Sequence, residues 1–119
     1  MCGIFVSYGP NVNFSKHKKL TNMLYHRGPD NQENLLINNK LIFGHTRLSI
    51  IDPNKNSNQP FKDGNSIILF NGMIYNFLEI KSELKKKYNF ITKSDTEVIS
   101  AAYKVWGKNC FERLNGMFS

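Results

Sequence analysis

Met1-Cys2-Gly3-Ile4-Phe5-Val6-Ser7-Tyr8 opens the chain, and Gly9-Pro10 follows it. The β-branched and aromatic run from Gly3 to Tyr8 predicts a strand that the Gly-Pro pair ends. Cys2 then sits at a strand end, held by a sheet and not carried on a loose tail. Removal of one initiator methionine would give that residue a thiol and a free α-amine together. A chain-terminal amine has a pKa of about 7.7–8.0, close to working pH, whereas a lysine amine lies about 2.5 units higher. N-terminal amines activate nucleophiles in known enzymes, so Cys2 is a candidate catalytic residue that carries its own base. The alternative is a small interior hydrophobe, the commonest fate of a free cysteine.

The bulk properties narrow the field. A chain of 119 residues is one domain or part of one. Its net charge of +7, from 16 Lys and Arg against 9 Asp and Glu, is concentrated in Lys16-His17-Lys18-Lys19 and Lys85-Lys86-Lys87. Such runs either seek phosphate or form solvated helix faces. Without an Arg-rich stripe or zinc-finger spacing, solvated faces are expected and nucleic acid is not a partner. Two cysteines, Cys2 and Cys110, make neither a disulfide framework nor metal-ligand spacing, so no metal is expected. No apolar run reaches the roughly 18 residues a membrane helix needs, and the start lacks a signal-peptide pattern. The expected compartment is therefore the cytoplasm, with no membrane partner.

Further along, Leu20, Met23 and Leu24 at helical spacing predict a helix over residues 15–25 with Ser15 as its cap. His26-Arg27-Gly28-Pro29-Asp30 must then be a loop. Leu35-Leu36-Ile37, Asn38-Asn39 and Leu41-Ile42-Phe43 read as a hairpin, because asparagine tolerates the positive φ of tight turns. Residues 52–66 read as a long polar connection, and Ser66-Ile67-Ile68-Leu69-Phe70 as a strand buried on both faces. A helix over about residues 77–87 follows Asn76. Ser94-Asp95-Thr96-Glu97 matches a capping box opening a helix that runs to Trp106 and stops at Gly107. The end, Gly116-Met117-Phe118-Ser119, is apolar up to its last residue and gives the expectation of a chain cut short.

Three polar groups fall at the ends of these apolar elements. Arg47, in Gly44-His45-Thr46-Arg47, needs an acceptor: an internal salt bridge, or the carboxylate of a ligand that suits its planar fork. Asn71-Gly72 is either an ordinary turn or a two-donor oxyanion hole, worth roughly 2.7–4 kcal/mol per donor in acyl transfer. Asp95 either caps a helix or binds a substrate ammonium. A thiol with a built-in base, an oxyanion hole, a cation and an anion together suit amide hydrolysis on a free α-amino acid. Glutamine fits that description.

Seven motifs occur in order: Met1-Cys2-Gly3-Ile4, His26-Arg27-Gly28-Pro29-Asp30, the run from Gly44 to Asp52, Gln59-Pro60, Asn71-Gly72-Met73-Ile74-Tyr75-Asn76, Ser94-Asp95-Thr96-Glu97-Val98-Ile99 and Leu114-Asn115-Gly116-Met117-Phe118. Over essentially its whole length the chain resembles the N-terminal glutaminase domain of the glutamine-hydrolysing asparagine synthetases, a class II glutamine amidotransferase domain. Gly-Pro-Asp after Arg27 and Leu-Ser-Ile-Ile-Asp after Arg47 are similar to the asparagine-synthetase branch, which also contains enzymes with other acceptors. An inactive or regulatory module of the same kind is the remaining alternative.

The resemblance implies an α+β fold, the N-terminal-nucleophile hydrolase αββα sandwich of antiparallel sheets, here truncated at its C-terminus. It implies Cys2 as nucleophile and base-bearing residue, and Asn71 and Gly72 as the oxyanion hole. Arg47 would hold the glutamine α-carboxylate and Asp95 the α-ammonium, with backbone groups of Leu48 and Ile50 positioning the ligand. Arg27 would support the terminal strand from behind. Glutamine is the implied substrate, and a synthetase domain in the same polypeptide the implied partner. No cofactor is implied for residues 1–119; ATP and Mg belong to that synthetase domain. One residue departs from the pattern. The position after Asn71-Gly72 usually carries a Glu that helps bind the ammonium, and here it is Met73. Loss of that charge-assisted contact would cost about 1.5–3 kcal/mol of glutamine binding.

Overall fold

A computed structural model describes residues 2–119. Strands β1 (Gly3–Tyr8), β2 (Asn31–Ile37) and β3 (Leu41–Arg47) form an antiparallel sheet in the order β1-β3-β2. The β2–β3 turn uses Asn38 and Asn39 at φ of 50° and 55°, as the paired asparagines predict. Register places Gly3 opposite Thr46 and Asn31 opposite Arg47. The start of β1 and the end of β3 are thereby brought to one end of the sheet.

Helix α1 (Phe14–Asn22) packs on one face of this sheet. Close approach is possible because Gly44 has no side chain; a Cβ there would lie 2.2 Å from Thr21 Oγ1. His17 meets Ser7 at 2.8 Å and stacks at 4.9 Å from Phe5. The helix cap is Asn13, whose side chain accepts from the Lys16 N–H at 2.8 Å, and not Ser15. The helix also ends before residue 25. Tyr25–Arg27 forms a separate 3₁₀ turn, so the expected loop at 26–30 begins with one residue pair already in regular structure.

The second half of the chain holds β4 (Phe61–Asp63), β5 (Ser66–Ile68), β6 (Gly72–Ile74), α2 (Phe77–Leu84), α3 (Asp95–Trp106) and β7 (Gly116–Phe118). β4 pairs with β5 and β6 with β7, each antiparallel. The architecture is α+β with antiparallel sheets. Its main core gathers Phe70, Ile74, Ile80, Leu84, Val98, Ala101, Ala102 and Cys110 around the contact of α2 with α3.

Several expectations are corrected here. Residues 52–66 are not one polar connection: a 3₁₀ turn at Lys55–Ser57 and β4 interrupt it, because Phe61 is buried and draws its strand inward. The run Ser66–Phe70 is not a strand buried on both faces. Pairing stops at Ile68, β4 is its one partner, and residues 66–69 are half-buried against an open apolar cavity also lined by Ile4, Val6 and Phe43. Helix α2 ends at Leu84, short of residue 87. The capping box at α3 is half formed. Ser94 Oγ accepts from the Thr96 N–H at 3.1 Å, but Glu97 turns away to accept from Ile91, Thr92 N and Thr92 Oγ1. Gly107, at φ of 59°, ends α3 as expected.

The lysines of both basic runs are solvent-exposed, on α1 and beyond the end of α2. Among the described residues no helix is long and apolar enough to cross a membrane. No group of three His, Cys, Asp or Glu among them is placed to hold a metal ion. Cys2 and Cys110 are free thiols.

Asp63 ties the second half together. Its carboxylate accepts from Tyr88 Oη and Ser100 Oγ, both at 2.6 Å, and pairs with Lys104. Burial alone would raise its pKa, but the bonds from Lys104, Ser100 and Tyr88 hold it below the usual value. The stabilisation is present above the unfolded-state pKa and is lost as pH falls through the depressed folded value. Asp63→Asn is expected to destabilise the fold at pH 7 by about 1–3 kcal/mol, read by urea unfolding. The gap to wild type should close on acidification.

Candidate functional site

The end of the three-stranded sheet, the loop after β3, strand β6 and the first turn of α3 enclose a cleft. Cys2, Arg47, Leu48, Ile50, Gly72 and Asp95 all line it, with Met73 and Met117 at its apolar side. Asn71 lies one residue from Gly72, and Arg27 sits behind Cys2; neither lines the cleft itself. Met1, and with it the question of its removal, lies outside the described residues.

Cys2 is placed from both sides. Its carbonyl accepts from Arg27 Nε at 3.0 Å. Its Sγ is 3.4 Å from the Leu48 N–H and 3.8 Å from the Leu48 carbonyl. Leu48 is in turn held by the loop at residues 28–30. Gly28 packs so tightly on β3 that an added Cβ would fall 2.5 Å from the Arg47 backbone. The Asp30 N–H donates to the Arg47 carbonyl at 3.0 Å, and the Asp30 carboxylate accepts from the Ser49 N–H at 2.7 Å.

Arg47 is buried, and no carboxylate pairs with it among the described residues. Its guanidinium donates to the carbonyl of Asn54 at 3.0 Å, to Asn58 Oδ1 at 2.6 Å and to the carbonyl of Asp52. The internal salt bridge is therefore not what forms. A net positive charge is kept in place by neutral acceptors, the arrangement that leaves it attractive to an anion. The Asp52 carboxylate serves the loop, accepting from Asn54 N, Ser57 Oγ and Lys93 N.

Asn71-Gly72 does not form an isolated turn. The Asn71 backbone exchanges two hydrogen bonds with Ser119, at 3.0 and 2.9 Å, and Gly72 enters β6. β7 crosses so close that a Cβ on Gly72 would lie 2.2 Å from the Met117 carbonyl. Asn71 Oδ1 is buried without a partner.

Asp95 is the first residue of α3, not its cap; Ser94 has that role. The carboxylate is 5% exposed and accepts from the Ile74 N–H at 3.2 Å. Burial pushes its pKa up, and the bonds from Ile74 and Thr96 pull it back only in part.

Four contributors were not singled out from sequence. Asn54 and Asn58 read as loop formers, yet both accept from Arg47. Gln59 carried only its place in a motif, yet it is buried in the cleft wall. His45, two residues before Arg47 on the same face of β3, is wholly buried with neither ring nitrogen in a hydrogen bond. Burial drives its pKa down to about 4; the Phe70 backbone opposes and the charge of Arg47 assists. At neutral pH the His45 imidazole is therefore uncharged, on the same face of β3 as the Arg47 cation. The period-2 alternation of β3 was the signal that could have found it.

A thiol beside a backbone N–H, a buried cation and a buried carboxylate thus line one cleft. The model of the glutamine amidotransferase domain family matches residues 1–119, and the chain belongs to that family. It is 42% identical over 105 residues to the glutamine-hydrolysing asparagine synthetase 1 of Bacillus subtilis, covering 86% of this chain and 16% of that protein. Identity is 38% over 125 residues to the glutamine-hydrolysing asparagine synthetase of Zea mays, covering 100% of this chain and 21% of that protein. It is 36% over 100 residues to amidase chry2 of Gibberella zeae, covering 82% and 15%. The chain thus spans well under a third of the length of these curated relatives.

The raised pKa of Asp95 carries a stability consequence. Its folded value lies above its unfolded value, so the native state binds the proton more tightly and unfolding free energy falls as pH rises through that window. At pH 7 the buried charge is a net cost. Asp95→Asn retains an oxygen for the Ile74 N–H and removes the charge. It is expected to raise the melting temperature at pH 7 by a few degrees, read by thermal unfolding.

Proposed function

We propose that this chain hydrolyses the side-chain amide of glutamine, with Cys2 as the N-terminal nucleophile. The observation that carries the reading is the cleft: the Cys2 thiol, the Arg47 cation and the Asp95 carboxylate line it together, with Sγ 3.4 Å from the Leu48 N–H. In this reading Arg47 holds the α-carboxylate, Asp95 the α-ammonium, and the Leu48 and Ile50 backbone fixes the ligand along the β3 loop. The α-amine of Cys2 takes the thiol proton, and the thiolate attacks the amide carbon. Asn71 and the Gly72 N–H receive the charge that develops on the carbonyl oxygen. The amine returns its proton to the leaving nitrogen, ammonia departs, and a γ-glutamyl thioester remains. Water adds to that thioester, releasing glutamate and restoring the thiol. Arg27 acts only through the Cys2 carbonyl, keeping the end of β1 in line.

The fold that suits this chemistry is the N-terminal-nucleophile hydrolase sandwich, of which residues 1–119 supply a class II glutamine amidotransferase portion. The relatives support a further step, in which the ammonia reaches a synthetase domain in the same polypeptide and converts aspartate to asparagine. ATP and Mg would serve that domain and not the cleft described here.

Three experiments test the reading in protein expressed with its own N-terminus. In a full-length polypeptide that also carries the synthetase domain, Cys2→Ala is expected to abolish glutamine-dependent activity while ammonia-dependent synthesis continues; retained glutamine use would sink it. Intact mass should show Met1 removed. Met73→Glu adds a carboxylate to the cleft wall, next to Ile74, whose N–H bonds Asp95. It is expected to lower KM for glutamine by about tenfold or more, the equivalent of one charge-assisted contact, with kcat little changed.

A further inference from the structure

Gln59 is 4% exposed and forms part of the cleft wall. Its two amide atoms are spent on two different elements. Oε1 accepts from the Phe70 N–H at 2.6 Å, and Nε2 donates to Thr96 Oγ1 at 3.3 Å. Phe70 directly precedes Asn71-Gly72, and Thr96 directly follows Asp95. A second tie joins the same two segments, from the Ile74 N–H to the Asp95 carboxylate at 3.2 Å. Residues 71–73 are thus bracketed: both flanking backbone N–H groups are anchored on side chains that belong to, or reach, the first turn of α3. The preceding residue, Asn58, takes the Arg47 guanidinium at 2.6 Å. The Asn58-Gln59 dipeptide therefore touches Arg47 directly and reaches the segments that carry Asn71-Gly72 and Asp95.

We infer that Gln59 is a positioning residue, fixing the Asn71-Gly72 segment at a set distance from Asp95 so that one bound glutamine can meet both. The inference rests on the glutaminase reading. Only a carboxamide of this length supplies, as a neutral group, an acceptor for Phe70 and a donor for Thr96 at once. Asparagine is one methylene short, and leucine fills the space but leaves the Phe70 N–H buried and unpaired. Because the segment matters most when charge develops on the carbonyl oxygen, loosening it should act on kcat more than on KM.

The test uses the protein with its own N-terminus, assayed for glutamine hydrolysis well below the melting temperature of every variant. Gln59→Leu is expected to lower kcat by about 10- to 100-fold, the scale of a misplaced reacting group, with KM changing far less. Thr96→Val, which removes one end of the bridge, should cause a smaller fall and add nothing to Gln59→Leu. Asp63→Asn, remote from the cleft, is the control for stability loss alone and should keep its kcat. A folded Gln59→Leu protein with wild-type kcat overturns the inference, as does an equal loss of kcat in Asp63→Asn. If Gln59→Leu does not fold, Thr96→Val decides: unchanged kcat overturns the inference, and a fall without change in KM supports it. Wild-type protein with a free Cys2 amine and no glutamine hydrolysis overturns the glutaminase reading and this inference together.

Discussion

The antiparallel pairing of β1 with β3 is the constraint on which the rest depends. With Gly3 opposite Thr46, Cys2 has to arrive beside Leu48, and a slip by one residue would turn its side chain to the α1 face. The register is protected from both sides. Gly3 admits no side chain, since a Cβ would meet Thr46 Oγ1 at 2.6 Å, and Arg27 holds the Cys2 carbonyl at 3.0 Å. The loop after β3 is then built on this fixed end, through Asp30 and Gly28, so that the thiol and the Arg47 cation share one frame of reference.

The charged groups of the cleft are held unlike ordinary ion pairs. Arg47 and Asp95 are both buried, and neither is neutralised by a protein charge among the described residues. Arg47 rests on two carbonyls and an asparagine side chain; Asp95 rests on a backbone N–H. Such an arrangement is a stability cost that neutral hydrogen-bonding partners offset only in part. Each charge thus keeps its sign unopposed by a formal counter-charge from the described residues.

Much of this was legible in the sequence because it depends on local rules. The Asn38-Asn39 turn, the strand Gly3–Tyr8 and the stop at Gly107 follow from backbone preferences alone. The misreadings share a cause: tertiary context overrode a local pattern. Glu97 has the capping-box spacing, but three donors from residues 91 and 92 outcompete the Ser94 N–H for its carboxylate. Ser66–Phe70 is apolar throughout, but with a single strand partner it cannot be interior on both faces. For the site, residue types that carry charge or nucleophilicity stood out, whereas Gln59, Asn54 and Asn58 did not. A neutral amide announces nothing until its partners, 7 to 37 residues away, are brought to it by the fold.

The two thiols of the chain stand at opposite extremes of accessibility. Cys110 is wholly buried in the core beside α3, and burial pushes its pKa up, which suppresses the thiolate that reacts. Cys2 is half-exposed at the cleft. The folded protein therefore presents electrophiles with one addressable sulfur. A label, a crosslinker or a covalent probe would report on the cleft alone, and a second modified thiol would serve as a direct gauge of unfolding.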